Sequence, residues 1–571
     1  MPKKFLNTPQ SVVPDMVEGL LLTDSSLCRI QGMQVVLRRS HVAEDYPFVK
    51  IVSGGGAGHE PAHAGFIGDG MLSAAVLGNV FASPSVAAIL ATLRVCRSPK
   101  GILLVVKNYT GDRINFGVAV EQARAEGIAV RMVVVDDDCA LAKEKGVTGG
   151  RGIAGTVFVH KVAAATAAQG ASLDEVYSAA CDAISRVGSM GVALSVCTVP
   201  GAQRSSRLDG EVMEVGLGIH GEQGREQREF PAENNAALVA EIMVEAVMSR
   251  GVVAPGDRAA LLLNNLGSTP AIELYVVARE VMRRLAASGV RVERAFVGPY
   301  MTALDMAGVS LSLLRLSDDL LSKLDAPTDA PHWTKATPLG PEGFADRVVS
   351  YEDRGMRVSG GGSCRLSRRV VEAVCRRVVE IEPRLTELDA VCGDGDCGLV
   401  MRAGATRVLQ DLASDRFIGV VEGADVADVA AFCGLLADSV SSSMGGTSGG
   451  LIELMLRAMA ASLRQEPSMV VALTRGVAAI QQYGRAERGM RTMLDALLPA
   501  IDALSAGRGA DAAAAAAMEG AWLTAEMQSL AGRSNYLSAD KIRGVPDPGA
   551  VAVAEAFAAA ANVITNSSNS N

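Results

Sequence analysis

The sequence predicts a two-domain protein, in which an α/β domain precedes an all-α domain. Its 571 residues are more than a domain with a single hydrophobic core usually contains. Short apolar runs alternate with helical patterns in the first part of the chain, which is typical of α/β domains. After a proline-rich stretch, the hydrophobic period becomes purely helical. These three observations together give the predicted fold class.

Five short runs rich in Val, Ile and Leu have the length of buried strands. They lie at 48–52, 101–107, 129–135, 259–263 and 290–297. Several end in glycine or polar turns, and helical patterns such as 172–187 and 271–288 lie between them. This alternation indicates an α/β domain with largely buried strands, which we predict over residues 1–325.

Residues 326–345 are rich in proline and polar side chains and are predicted to be an interdomain linker. Beyond them, apolar residues in 366–381 fall on one helical face. The further helical runs are 426–440, 450–464, 468–482, 491–504 and the alanine-rich 512–517. We therefore predict an all-α domain over residues 346–565.

Composition and charge exclude some classes of protein. The net charge of -9 and 4% aromatic content argue against a nucleic-acid binder. Ten scattered cysteines form no zinc-type pairs, which favours free thiols in a reducing compartment. The start of the chain has no apolar leader segment, so we expect a cytoplasmic protein. The uncharged stretch 71–93 could span a bilayer by length, but its Ser, Gly, Asn and Pro residues favour a buried core segment.

A glycine-rich segment, Ser53-Gly-Gly-Gly-Ala-Gly-His-Glu60, follows the first predicted strand. It matches neither a dinucleotide-binding nor a Walker A pattern. We interpret it as a turn that lets backbone N–H groups approach a ligand, the alternative being a tight turn that merely requires glycine. Two of the six histidines lie here, His59 inside the segment and His63 just after it, and His220 is also flanked by glycines. Histidines on exposed glycine turns are candidates for a base or nucleophile.

Polar residues follow the predicted strand 101–106 in the segment Lys107-Asn-Tyr-Thr-Gly-Asp112. The carboxyl end of a buried strand is a common place for a ligand crevice. Asp112 is a candidate base and Lys107 a candidate ligand of a polar substrate. The alternative is an ion pair in a solvated loop.

Three carboxylates, Asp389, Asp394 and Asp396, lie within eight residues of the second predicted domain. They repel one another unless a cation compensates, and hard oxygen ligands suit Mg²⁺ or Ca²⁺. An EF-hand is excluded because its twelfth position would be Ala405. A Mg²⁺-nucleotide site is favoured over a solvated acidic turn, because glycine loops at 443–450 and near 532 and 547–549 could receive phosphates.

Taken in order, these motifs resemble those of the dihydroxyacetone (glycerone) kinases in their single-chain, ATP-dependent form. The first domain carries IVSGGGAGHEPAHAG, KNYTGDRINFG, RGIAGTVFVHK and GLGIHGE. The second carries LDAVCGDGDCG, MGGTSGG, TMLDALLPA, GRSNYL and DPGA. The resemblance covers nearly the whole chain. It implies phosphorylation of dihydroxyacetone, and of glyceraldehyde, with ATP as co-substrate.

The resemblance also implies the roles of residues in the first domain. His220 would attack the ketone and hold it as a covalent hemiaminal, while His59 and Asp112 would move protons on the substrate hydroxyls. The residues lining the substrate pocket would be Gly56, Ala57, Gly58, His59, Lys107 and Asp112. A homodimer is implied by the family, and we expect no nucleic-acid or membrane partner.

In the second domain, the resemblance implies a helical barrel that binds the nucleotide. Asp389, Asp394 and Asp396 would hold two Mg²⁺ ions that bridge the ATP phosphates. The residues contacting the nucleotide would be Cys397, Gly398, Leu399, Val400, Thr447, Ser448, Gly484, Thr492, Met493, Arg533, Asp547, Pro548 and Gly549.

The sequence departs from the family pattern at three places. Leu399 and Val400 stand where threonines are common, Met490 replaces an aspartate, and Gln223 replaces a proline. The first two departures concern side-chain contacts to the nucleotide and leave the acidic cluster intact. Two other functions compete with the kinase: cleavage of FAD to a cyclic flavin phosphate, which would not need His220, and a ketose-binding regulator without catalysis.

Overall fold

The computed structural model of the chain describes residues 3–43, 45–140, 149–339, 349, 365–414, 426–531 and 539–568. The chain divides into two compact units, Met1–Ser350 and Tyr351–Asn571. The first unit contains both strands and helices, and the described part of the second contains helices alone. The predicted fold class is therefore confirmed.

Two mixed six-stranded sheets form the frame of the first unit. The strands are β1 (Leu27–Arg29), β2 (Val35–Arg38), β3 (Lys50–Ala57), β4 (Ala74–Val80), β5 (Ile102–Lys107), β6 (Val130–Val135), β7 (Val187–Ala193), β8 (Val212–Val215), β9 (Glu226–Glu229), β10 (Arg258–Asn265), β11 (Arg291–Gly298) and β12 (Gly308–Arg315). Sheet one has the order β1-β2-β4-β3-β5-β6, in which β4, β3, β5 and β6 are parallel. Sheet two has the order β11-β10-β12-β7-β8-β9, and only β10 and β11 pair in parallel.

Eight helices cover the sheets of this unit. They are α1 (Val12–Thr23), α2 (Val86–Val95), α3 (Thr110–Ala125), α4 (Thr156–Ala168), α5 (Leu173–Arg186), α6 (Asn235–Ser249), α7 (Ala271–Ala287) and α8 (Asp318–Asp325). Helices α4 and α5 pack between the two sheets and form a central core with one face of each. Helices α2 and α3 cover the outer face of sheet one. Helices α6 and α7 cover the outer face of sheet two. Strand β5 shows the consequence: Leu103 and Val105 enter the central core, and Leu104 and Val106 the outer one. A strand buried on both faces has no polar alternation, which is why it was visible as an apolar run.

The five predicted strands correspond to β3, β5, β6, β10 and β11, and the two predicted helices to α5 and α7. The segment 71–93 is a core segment as predicted, divided between β4 and α2. Strand β7 contains two glycines and a serine, β8 has only four residues, and β9 is polar, so none of the three has the apolar pattern that would have predicted it.

Part of the predicted linker 326–345 packs on the first unit. Ala330 and Trp333 are buried in the central core, and the Tyr300 hydroxyl lies 2.6 Å from the Thr334 hydroxyl. The backbone N–H of Leu339 donates to the Glu293 carbonyl at 3.0 Å. We therefore propose that the first domain extends at least to residue 339. The rest of the predicted linker lies outside the described residues.

The second unit is built from helices α9 (Arg365–Glu380), α10 (Glu382–Cys392), α11 (Cys397–Leu412), α12 (Val426–Ser441), α13 (Gly446–Gln465), α14 (Met469–Gly484), α15 (Leu494–Ser505), α16 (Gly509–Leu523), α17 (Ala539–Ile542) and α18 (Pro548–Ser568). Helices α9, α11, α12, α13, α14, α15, α16 and α18 each pack on the next, and α18 closes the ring on α9. The ring encloses a cavity of about 610 Å³ lined by apolar side chains. This is the helical barrel that the resemblance implies.

Helix α18 is long and apolar enough to cross a membrane, by length and composition alone. Its Ala550 and Ala554 are buried against α15 and α16 in an alanine-rich core, and its Val551 is buried in the core of α9 and α11. These contacts are those of a packed barrel helix. The nine cysteines among the described residues are free thiols, as expected.

Candidate active site

The glycines of the Ser53–Glu60 segment lie mainly inside β3 and not in a turn, which corrects the prediction. A Cβ atom on Gly54 would come within 2.3 Å of the Val76 carbonyl oxygen on the neighbouring strand β4. A Cβ on Gly56 would lie 2.8 Å from the backbone of Phe81. Gly58 has a left-handed φ of +100°, and Gly55 has a φ of +157°, which residues with a side chain rarely adopt. The glycines therefore allow close packing of backbone that places His59 just beyond the strand.

His59 is fully buried, so the expectation of an exposed turn is wrong for this residue. Its Nδ1 lies 2.8 Å from the Thr302 carbonyl oxygen. Because a carbonyl only accepts, Nδ1 carries the proton and Nε2 has the free lone pair. Within the described part of the chain, no group hydrogen-bonds that buried Nε2. Burial, and then the charge on Lys107, hold the pKa of His59 well below its usual value, so the ring is a neutral base.

The ring of His220 lies beside that of His59, with centroids 4.9 Å apart. It follows β8 in a tight turn, and its side chain is 24% exposed. The rings of Phe81 and Tyr109 pack edge-on against it at 5.1 and 4.6 Å. The two histidines that the sequence singled out from separate segments therefore meet in one aromatic-lined site.

Glu222 is a site residue that sequence reasoning missed. One carboxylate oxygen lies 3.8 Å from His220 Nδ1, and the other accepts the backbone N–H of His220 at 2.9 Å. Burial alone would raise the pKa of Glu222, but hydrogen bonding and charge from His220, together with Arg151, hold it below its ordinary value. An anionic carboxylate next to Nδ1 orients the imidazole so that Nε2 keeps its lone pair. The signal was present in the sequence as a carboxylate two residues after a histidine between glycines.

Gly218 leaves room for the Glu222 side chain. A Cβ on Gly218 would lie 2.0 Å from the Glu222 carboxylate oxygen Oε1. Gly221 has a φ of +78°, which glycine adopts readily. Gly218 thus makes room for the carboxylate that faces His220.

Arg151 holds Glu222 from the opposite side. Its guanidinium donates to Asp138 at 2.6 Å and to the Gly216 carbonyl at 2.6 Å, and Nη1 lies 3.7 Å from the Glu222 carboxylate. Arg151 and Asp138 are both buried. This buried ion pair fixes the guanidinium, which in turn fixes the carboxylate beside His220.

Lys107 and Asp112 are buried, so the alternative of a solvated loop ion pair is wrong. Lys107 ends β5, and Asp112 lies in the first turn of α3. A Cβ on Gly55, which faces both, would lie 2.8 Å from Lys107 Nζ and 3.6 Å from Asp112 Oδ2. Asp112 Oδ1 is buried and has no hydrogen-bond partner among the described residues. It is therefore available to accept a hydrogen bond from a ligand.

A chain of buried side chains lies behind Lys107. Its Nζ lies 3.2 Å from His63 Nε2, and His63 Nδ1 lies 3.0 Å from His160 Nε2. Because an ammonium group only donates, His63 accepts at Nε2 and donates from Nδ1 to His160. Burial lowers the pKa of His160 to about 3 and, with the charge of Lys107, holds that of His63 well below its usual value. The neutral pair thus fixes the direction of the Lys107 ammonium.

The predicted metal ligands of the second unit converge at the end of α10. The three side chains of Asp389, Asp394 and Asp396 each offer an oxygen within 4.8 Å of the others. Asp389 Oδ2 also accepts the backbone N–H groups of Asp396 and Cys397 at 3.0 Å each. Three carboxylates at this separation fit the hard oxygen ligands of Mg²⁺.

The predicted nucleotide residues that the structure describes lie at the ends of helices in the second unit. Cys397, Gly398, Leu399 and Val400 form the first turn of α11, Thr447 and Ser448 the first turn of α13, and Pro548 and Gly549 the start of α18 after Asp547. Gly484 ends α14, and Thr492 and Met493 precede α15. Arg533 lies outside the described residues. Helix N-termini present free N–H groups, which suits phosphate oxygens.

Contacts join two of these segments to the acidic cluster. A Cβ on Gly549 would lie 3.5 Å from Met493 Cβ, so the starts of α15 and α18 touch. Burial raises the pKa of the Cys397 thiol to about 12, and the charges of Asp389, Asp547, Asp396 and Asp394 act in the same direction. All four carboxylates therefore surround the start of α11.

Families of known proteins match both units of the chain. The Dak1 domain family matches residues 18–332, and the DAK2 domain family matches residues 391–562. Triokinase/FMN cyclase of Homo sapiens is 39% identical over 581 residues, covering 98% of this chain and 99% of that protein. Dihydroxyacetone kinase of Pichia angusta is 34% identical over 603 residues, covering 97% of each. The crystal structure of the dihydroxyacetone kinase from C. freundii in complex with AMP-PNP and Mg²⁺ is 34% identical, with a TM-score of 0.68 over 98% of this chain and 100% of that one.

Proposed function

The chain belongs to the dihydroxyacetone kinase family, and from this premise we propose that it transfers the terminal phosphoryl group of ATP to dihydroxyacetone, and to glyceraldehyde. The observation that carries the proposal is a pair of buried, unpartnered acceptors in the first unit, one of them on the ring that lies beside His220. His59 Nε2 and Asp112 Oδ1 have no hydrogen-bond partner in the described part of the chain. Buried polar atoms are normally satisfied, so these two indicate a ligand that donates hydrogen bonds, as the two hydroxyls of dihydroxyacetone do.

We propose that His220 holds the ketone covalently. With Glu222 beside Nδ1, the Nε2 lone pair is free to attack the carbonyl carbon. The new C–N bond converts the carbonyl oxygen into an alkoxide, which takes up a proton, and the imidazolium releases its Nδ1 proton, so the adduct is a neutral hemiaminal. A carbonyl is required for this step, and glycerol has none. Covalent capture therefore selects the ketone in a way that hydrogen bonds to hydroxyls alone do not.

Asp112 is proposed to accept the proton of the hydroxyl that attacks the phosphate. Its unpartnered Oδ1 is the acceptor, and the neighbouring Lys107 amine is placed to donate a hydrogen bond to the developing alkoxide. The neutral His59 accepts a hydrogen bond from the substrate, which fixes the orientation of the captured ketone. Each group thus acts at a separate atom of a three-carbon substrate.

In the second unit, Asp389, Asp394 and Asp396 would hold Mg²⁺, proposed as two ions, and Mg²⁺ would neutralise phosphate charge during transfer. The N–H groups of Gly398, Thr447 and Gly549, in the first turns of α11, α13 and α18, would position phosphate oxygens. Family resemblance adds the proposal of a homodimer, and the free thiols support the proposal of a reducing, cytoplasmic location.

The kinase proposal is tested with purified full-length protein, Mg-ATP and dihydroxyacetone. Formation of ADP and triose phosphate in equal amounts is expected, with no turnover of glycerol. A ketone adduct without ATP turnover would contradict the kinase and favour the regulator.

A second candidate function is the cleavage of FAD to cyclic FMN and AMP. It is favoured by the human relative, which is named triokinase/FMN cyclase and matches over 98% of this chain. FAD with Mg²⁺ or Mn²⁺ is the test substrate. Cleavage that persists in His220→Ala is expected, since that residue belongs to the ketone site. Absence of cyclic FMN in the wild-type reaction would remove this candidate.

A further inference from the structure

Arg491 is among the largest fully buried side chains of the protein, with 1% of its surface exposed. It precedes α15 in a segment that Asp495 fixes by accepting the backbone N–H groups of Gly489 and Thr492. Its own backbone is left-handed, with a φ of +60°. A non-glycine residue held in this conformation at a functional site is a common observation.

The guanidinium of Arg491 is only partly satisfied. Nη2 donates to the Val545 carbonyl at 2.8 Å and lies 3.1 Å from the Cys392 sulfur. Nε and Nη1 are buried and have no hydrogen-bond partner within the described ranges. No carboxylate among those residues lies within ion-pair distance of it, although the charge of Arg491 acts on the nearby Asp547. A buried donor that makes no hydrogen bond is costly, so Nε and Nη1 indicate a ligand that offers acceptor oxygens.

The position of the guanidinium identifies the ligand. Cys392 lies three residues after Asp389, at the end of the same helix, and Val545 lies two residues before Asp547. The guanidinium therefore lies between the segments that carry the acidic cluster and the start of α18. These are the segments proposed above to hold Mg²⁺ and the phosphates.

We propose that Arg491 binds the phosphate groups of the nucleotide through its Nε and Nη1 donors. The assignment rests on the proposed nucleotide site and adds a residue to it. Guanidinium groups form strong, charge-assisted hydrogen bonds with phosphate oxygens. The nucleoside part needs no such partner, so Arg491 distinguishes ligands by their phosphates.

The test compares Mg-ATP binding by calorimetry in full-length wild-type protein, Arg491→Met and Arg491→Lys. Arg491→Met should weaken Mg-ATP binding at least about 30-fold and abolish the rise in Tm that Mg-tripolyphosphate causes in wild type. Arg491→Lys should bind about fivefold or more weakly, because an ammonium cannot keep the Val545 contact and also present the guanidinium fork. Arg488→Met is the matched control: this arginine is exposed and pairs with Asp502 at 2.5 Å, and its loss should leave binding unchanged.

The Mg-ATP affinity of folded Arg491→Met separates this proposal from a structural role. Loss of the Val545 hydrogen bond and of the attraction to Asp547 can lower the ligand-free Tm whether or not the guanidinium binds phosphate. A lower ligand-free Tm with unchanged Mg-ATP affinity would overturn the proposal. If Arg491→Met does not fold, Arg491→Lys decides, and wild-type affinity in that variant would also overturn it.

Binding also separates this proposal from the kinase. If wild type binds Mg-ATP but phosphorylates no ketone, the kinase proposal fails and Arg491 is still tested by its variants. If wild type binds no phosphate compound, the nucleotide site and Arg491 fail together.

Discussion

The Gly218→Ala substitution should disable His220 without touching it. A Cβ at position 218 would lie 1.9–2.4 Å from the carboxylate atoms of Glu222, far inside any permitted contact. A carboxylate at the end of a flexible side chain moves more easily than backbone does, so we expect the protein to fold and Glu222 to swing away. The 2.9 Å hydrogen bond from the His220 N–H and the 3.8 Å approach to Nδ1 would then be lost.

The magnitude follows from the kind of contact removed. A hydrogen bond to a charged group contributes about 1.5–3 kcal/mol. The Glu222 side chain is 36% exposed, so solvent screens its charge and the lower end applies. About 1.5 kcal/mol corresponds to a roughly tenfold smaller adduct equilibrium constant and a roughly tenfold lower kcat/KM for dihydroxyacetone. The KM for Mg-ATP should not change.

The assay measures kcat/KM and the bound-ketone signal in Gly218→Ala, Glu222→Gln and the double variant. Both single changes remove the same contact between Glu222 and His220. The double variant should therefore lose no more kcat/KM than either single variant does. Gly117→Ala is the control, since a Cβ there meets nothing within 4 Å. Additive losses, or an unchanged kcat/KM in Gly218→Ala, would refute the role assigned to Glu222.

Four other outcomes are expected. Asp394→Ala should abolish ATP turnover and keep the ketone adduct, and loss of the adduct by NMR would contradict the separation of the two sites. Leu399→Thr with Val400→Thr should lower the KM for ATP, since a hydroxyl bonded to a phosphate contributes about 1.5–3 kcal/mol; a higher or equal KM would show that backbone groups already satisfy the phosphates. Burial lowers the pKa of His160 from 6.5 to about 3, so between these pH values the unfolded chain binds a proton that the folded chain does not. As the pH is lowered from 6.5, the free energy of unfolding should therefore decrease by about 1.4 kcal/mol per pH unit because of this residue. Urea titrations at pH 7, 6 and 5 measure how the free energy of unfolding changes with pH, and in His160→Gln that change per pH unit should be smaller by the same amount. An equal change in wild type and variant would contradict the prediction. A fragment of residues 1–345 should be more stable than one of residues 1–325, which lacks the buried Trp333, and equal melting temperatures would place the boundary earlier.

The sequence predicted those elements whose apolar pattern is unambiguous. Strand β5 is buried on both faces and was visible as a continuous apolar run. The strand character of Gly54–Gly56 was not, because it depends on how closely Val76 and Phe81 pass, and that contact belongs to the tertiary structure. Glycine in a sequence indicates freedom for the backbone but does not say which neighbour requires it.

The candidate site shows the same limit. His59, His220 and Asp112 were found because their residue types and glycine neighbours are unusual. Glu222 was passed over although it stood in the same motif, since only the structure shows its carboxylate in the space that Gly218 leaves. Arg491 was passed over because a cationic residue in a sequence does not reveal that its side chain is buried with two unpartnered donors.

The most direct test of the central claim, covalent capture of the ketone by His220, is a ¹³C NMR spectrum of the full-length protein with dihydroxyacetone labelled at its carbonyl carbon. In the wild-type protein, the bound carbon should move from the carbonyl to the tetrahedral region and return on dilution of the ligand. In His220→Ala that signal should be absent, and ketone phosphorylation should fall with it while Mg-ATP binding stays at the wild-type level. A tetrahedral signal that persists in His220→Ala, or full ketone kinase activity in that variant, would contradict the account.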